Sequence, residues 1–144
     1  MRGPKDENDG ETLAGAGETV DFSLALVVAS SPITRVVVSR IAERAGLRTI
    51  SRPPEEAQPV VDGRLPAIAV LSGGADGHEC DHLLEQLVAL RRQAGDTHAP
   101  LIVVLANSNT PLPHGDLADI VVAKPVTPDR LQPVIRDLMD RLRG

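Results

Sequence analysis

Four stretches of the chain are apolar at nearly every position: 22–30 (FSLALVVAS), 65–74 (LPAIAVLSGG), 99–106 (APLIVVLA) and 118–125 (ADIVVAKP). None alternates polar with apolar, so none can lie with one face in water. Each is short, rich in valine and isoleucine, and most are separated by segments with a helical period. Strands buried on both faces need a cover on both sides, and helical crossovers supply it. With a weaker fifth strand at LRTIS (47–51), the expected fold is α/β: a flavodoxin-like, doubly wound, five-stranded parallel sheet of order 2-1-3-4-5.

The length of 144 residues fits one such domain. Hydrophobic residues make up 42% of the chain but aromatics only 1%, Phe22 alone, so the core must be aliphatic. Residues 1–20 are polar, glycine-rich and aperiodic, and are expected to be a disordered N-terminal tail ahead of a domain at 21–144. A net charge of −5, with no basic stripe and no stacking aromatics, argues against nucleic acid. No apolar run reaches the roughly 18 residues of a membrane span. The single cysteine, Cys80, cannot form an internal disulfide and fits a reducing compartment, so a cytoplasmic location is expected.

Helix signals fill the gaps. Ser30 or Ser31 can cap a helix carrying Pro32 in its first turn, with Ile33, Val36, Val37, Ile41 and Ala45 on its apolar face and Gly46 as its stop. Glu55, Glu56 and Ala57 favour a second helix that Pro59 should shorten or distort. The segment 76–96 reads as the longest helix, with Leu83, Leu84, Leu87, Val88 and Arg91 at helical spacing. The last helix starts at Thr127 and Pro128, where Pro133 should kink it or delay its start. Between strands four and five, Pro111 and Pro113 leave room for a turn at most, so a fourth helix is expected to be short or absent.

The order of these elements, VVASSPITRVVVSRIAERAGL as the first strand and helix, ADGHE as the start of the third helix and Lys124–Pro125 after the fifth strand resemble a response-regulator receiver domain over residues 22–143. The resemblance implies a site at the carboxyl ends of the strands. Receivers hold Mg²⁺ there with two acids after strand one and a phosphoacceptor aspartate after strand three. A hydroxyl after strand four, an aromatic on strand five and a lysine complete the site. Carried over residue by residue, the acidic pair falls on Ala29 and Ser30, the acceptor on Ser72, the hydroxyl on Leu105 and the aromatic on Val121. Only Lys124, followed by Pro125, keeps the pattern. The resemblance also implies that this proline is often joined through a cis bond.

A hard cation needs oxygen ligands, usually carboxylates, and an acyl phosphate needs a carboxylate to form on. The expected reading is therefore a stand-alone, degenerate receiver of the pseudo-receiver type. It would be non-enzymatic, without cofactor or metal, and would act by contact with a protein partner such as a histidine kinase or another signalling protein. Only Gly144 follows the last helix, so no output domain is expected in cis. A homodimer through the face of the fifth strand and last helix is compatible with the sequence.

Lys124 is one of two lysines and is expected to reach the hydroxyls of Ser30 or Ser72, or nearby carbonyls. Two alternatives stay open. The serines, the SGG loop and Lys124 could form an anion or nucleotide site on the same scaffold. Ser72 could instead act as a noncanonical phosphoacceptor, although no general base adjoins it in sequence. The segment HECDH (78–82) matches H-E-x-x-H, yet the third ligand that a zinc protease needs is missing downstream, so a polar first helical turn is expected.

Overall fold

The computed structural model describes residues 20–63, 65–72, 80–93, 99–106 and 118–143. In chain order the elements are β1 (Val20–Val28), α1 (Pro32–Arg44), β2 (Arg48–Arg52), α2 (Pro54–Gly63), β3 (Leu65–Ser72), α3 (Asp81–Gln93), β4 (Leu101–Ala106), β5 (Ile120–Ala123) and α4 (Pro128–Arg143). All strand pairs are parallel and the order is β2-β1-β3-β4-β5, which is the 2-1-3-4-5 topology expected. The expected tail lies outside the described residues except for Val20, which opens β1. The 107–117 segment, where the fourth helix was expected to be short or absent, also lies outside them.

The pleat divides the core in two. Ala25, Val27, Ile68, Val70, Val103 and Leu105 face α1 and α4, whereas Leu26, Val28, Ala69, Leu71, Ile102 and Val104 face α2 and α3. This is the two-residue period of strands covered on both sides, which is why β3 and β4 are buried along their whole lengths.

Ser31 caps α1, its hydroxyl accepting from the Thr34 amide at 3.3 Å, with Pro32 first in the helix. At the other end Gly46 takes φ +99°, and the Leu47 amide donates back to Ala42 O at 3.1 Å. The buried face of α1 differs from the one expected. Val38, Ile41 and Ala42 are buried, while Ile33 is 77% and Val36 53% exposed. Helical spacing permits either stripe, and packing against β2, β1 and α4 selects the one turned by about a residue.

Both prolines inside helices are accommodated. α2 runs through Pro59 because Ala57 and Val61, fully buried, hold it to the sheet; the cost is one missing amide bond. α4 starts at Pro128 without delay, Thr127 O accepting from the Arg130 and Leu131 amides at 3.1 and 3.0 Å. Among the described residues α4 spans 16 and α3 13; positions 76–79 and 94–96 of the expected third helix lie outside them. No helix among the described residues is long and apolar enough to cross a membrane.

At the amino end of the sheet, Asp21 accepts from the Ser23 hydroxyl and amide at 2.6 and 3.0 Å and pairs with Arg48. The Ser23 hydrogen bonds, with Arg48 beside them, hold the Asp21 carboxyl below the ordinary carboxylate range. A carboxyl lowered by folding stabilises above its unfolded pKa, and that contribution disappears as pH falls through the folded one. Acid unfolding of Asp21→Asn, followed by circular dichroism, is expected to lack this component. The difference should be about 1 kcal/mol or less because the pair is open to water.

Candidate functional site

Every strand runs the same way, so all carboxyl ends open on one edge, where a doubly wound sheet places its ligands. Val28, Leu71, Val104 and Val121 lie abreast in the register, and Ser72, Leu105 and Val122 form the next row. The sheet thus brings Ser72 and Leu105 side by side, with Ala29 just beyond the end of β1. Ala29 is 1% exposed, Leu105 1% and Ser72 3%; Ser30 is on the surface. Val121 is 45% exposed on the edge strand.

Lys124 leaves β5 with its amide bonded to Ala106 O at 2.9 Å, and the Lys124–Pro125 peptide is cis. Its ammonium turns inward and donates to Ser72 Oγ at 3.0 Å. Ser72 is the only polar residue buried as a whole among the described residues, and one of the two hydroxyls expected for Lys124. A serine without a charge partner could not be held at this depth cheaply; the charged donor offsets its burial.

Two further contacts close the site, and neither was expected from the sequence. Arg35 of α1 donates from Nη1 to Ala29 O at 2.7 Å and to Ser30 O at 3.3 Å, lying across the carbonyls that end β1. Cys80, 6% exposed, donates from Sγ to Ser72 O at 3.1 Å. Arg35 had a readable clue, since it lies one helical turn after the N-cap and so must overhang the end of β1. Cys80 had none, because its approach depends on how 73–79 returns to α3.

The SGG loop (72–74) and the HECDH match lie partly outside the described residues: 73–79 are not described, and α3 is assigned from Asp81, with His82 exposed in its first turn. Among the described residues no group of three His, Cys, Asp or Glu side chains is placed to hold a metal ion. The described polar groups at the site are a hydroxyl, carbonyls, a thiol, a guanidinium and an ammonium. Two of these are cations, a set that does not fit Mg²⁺.

Ser72→Ala removes the acceptor for Lys124. The ammonium is only half buried and can turn to water, so the expected loss is about 1–2 kcal/mol, read as a lower urea midpoint at an unchanged slope.

No family model and no curated protein matches the chain. Solved structures do match. A CheY-like receiver domain protein from Methanospirillum hungatei JF-1 superposes with a TM-score of 0.64 at 16% identity, covering 84% of this chain and 96% of that one. The chemotaxis response regulator CheY4 of Vibrio cholerae gives 0.62 at 18%, over 81% and 98%. A CheY-like receiver domain from Methylobacillus flagellatus gives 0.62 at 13%, again over 81% and 98%. At such identities the likeness is one of fold, and it spans nearly the whole of each neighbour. The chain therefore has the fold of the CheY-like response-regulator receiver domains, with a serine, an alanine and two basic side chains at the carboxyl end of the sheet.

Proposed function

We propose that the protein is a pseudo-receiver: a signalling module of the two-component type that acts through contact with a protein partner and without aspartyl phosphorylation. The observation that carries this reading is the 3.0 Å bond from Lys124 to the buried hydroxyl of Ser72. The lysine that would steady a phosphoryl group is tied to a side chain that forms no acyl phosphate. Ala29 offers a buried methyl where a metal ligand would be needed, and Leu105 offers no hydroxyl to follow a phosphoryl group. Charge on a transferring phosphoryl must be neutralised and the metal held by oxygens, and the side chains of Ala29, Ser30 and Ser72 supply no carboxylate for either task.

In this reading the partner meets a surface that does not wait for a phosphate signal. Incubation with acetyl phosphate and Mg²⁺, followed by intact-mass analysis and amide NMR, tests it. The mass should not change, and the amides of Ala29, Ser72 and Lys124 should stay in place. A phosphoryl adduct cleaved by hydroxylamine, the mark of an acyl phosphate, would refute the reading.

A further inference from the structure

β2 is an edge of the sheet, with β1 as its one strand neighbour. In a parallel ladder alternate residues turn both their N–H and their C=O to the same side. Arg52 O accepts from the Ala29 amide at 3.2 Å, so Arg48, Ile50 and Arg52 bond toward β1, and Thr49 and Ser51 face outward. Among the described residues the Thr49 amide, the Thr49 carbonyl and the Ser51 amide meet no partner. The fourth outward group, Ser51 O, is covered by Arg52 Nη1 at 2.7 Å. Open groups of this kind are a template for one more strand.

The side chains specify that strand. Arg48, Ile50 and Arg52 share one face of β2, and Thr49 and Ser51 share the other. The Thr49 hydroxyl donates to Glu43 of α1 at 3.0 Å, which turns the hydroxyl face toward α1. On the opposite face Ile50 packs half-buried against the α2 and α3 side of the core, between two exposed arginines. Arg48 is 63% exposed and pairs with Asp21. Arg52 has no carboxylate partner among the described residues.

We propose that β2 takes an acidic extended segment of another protein as a sixth strand of the sheet. The main-chain groups of Thr49 and Ser51 bond the segment, and its side chains follow the pattern of β2. Carboxylates lie beside Arg48 and Arg52, with a β-branched apolar residue between them beside Ile50. Opposite Thr49 and Ser51 the segment is uncharged, because Glu43 stands on that side. A carboxylate that draws Arg52 away also frees Ser51 O to accept. This assignment rests on the protein-contact reading above and names the chemistry of the partner. Charge excludes a second copy: two β2 strands paired antiparallel about Ile50 would set Arg48 opposite Arg52 twice on one face.

The test uses the full chain, isotope-labelled, with a short capped peptide repeating Glu-Thr-Val-Thr and a twin carrying lysine for glutamate. In the free chain the Thr49 and Ser51 amides should exchange readily with solvent. The glutamate peptide, at about ten times its Kd, should slow both roughly tenfold, and raised salt should weaken it. Thr49→Pro deletes an outward N–H that the domain does not use, which an edge strand tolerates, and should abolish protection of Ser51. Thr49→Val keeps that N–H and loses only the bond to Glu43, so it should bind as the parent does. Arg52→Glu, at an exposed position, should weaken the glutamate peptide about tenfold and favour the lysine twin. Amides of Thr49 and Ser51 already protected in the free chain, no binding by the glutamate peptide, undiminished binding by Thr49→Pro, or equal binding of the twins would overturn the proposal. The phosphodonor experiment reads Ala29, Ser72 and Lys124 independently, so either reading can fail while the other stands.

Discussion

Replacing Ile135 by alanine is expected to lower stability by about 3–4 kcal/mol, the largest effect of any substitution considered. Ile135 is fully buried on α4, between Leu131 and Leu138, against the sheet face made by Ala25, Val27, Ile68 and Val70. Truncation removes the transfer energy of the lost carbons and leaves a cavity that the surrounding β-branched side chains, stiff at χ1, cannot fill. A domain of this size has only about 5–15 kcal/mol in total, so the urea midpoint should fall markedly at an unchanged slope. The site should feel it as well. α4 begins three residues after Pro125, and an unseated helix would let the Lys124–Ser72 contact exchange, broadening both amides. Ile33→Ala, by contrast, should change stability by no more than about 0.5 kcal/mol, because Ile33 projects into water. If Ile135→Ala were as stable as the parent chain, α4 could not be seated on the sheet as described.

Asp119→Ala should cost about 2–3 kcal/mol. One carboxylate oxygen of Asp119, on the approach to β5, accepts from the Ile102 amide and from Arg91 Nη1, both at 2.7 Å. The Asp119 amide returns a bond to Ile102 O at 2.9 Å, and Arg91 also reaches Pro100 O at 3.3 Å. One side chain thereby joins the last turn of α3, the start of β4 and the start of β5. Alanine leaves the amide of a fully buried residue without its acceptor and a half-buried guanidinium without its counter-charge, which costs more than the bonds themselves are worth. Asp119→Asn keeps an oxygen acceptor and should lose roughly half as much. Thermal unfolding of the two variants checks the order, and amide exchange at Ile102 should accelerate most in the alanine form. Equal losses in the two would show that the charge carries none of the clamp.

That clamp marks where reading the sequence stops. Arg91 is visible as an anomaly, a cation on the apolar stripe of Leu84, Leu87 and Val88, so something must meet it. Nothing at a spacing of 28 residues singles out Asp119 as the answer. The contact between Lys124 and Ser72 was legible, because topology alone puts the ends of strands three and five on one edge. Arg35 over the end of β1 had a clue in its place one turn after the N-cap, whereas Cys80 under Ser72 had none, because it depends on the angle at which a connection returns. The orientation of α1 shows the same limit. Its sequence carries Ile33, Val36, Val37, Val38 and Ile41, enough apolar residues for two different buried faces.

By itself the sequence determined the class of fold and the strand order. Those follow from local facts: runs apolar on both faces need covered parallel strands, and the helical segments between them supply the cover. Tertiary structure decided which side of α1 is buried, that α2 and α4 run through their prolines, and which partners meet Lys124, Arg91 and Arg35. Each of those outcomes is a competition between near-equal local choices, settled by packing contributions from residues far apart in the chain.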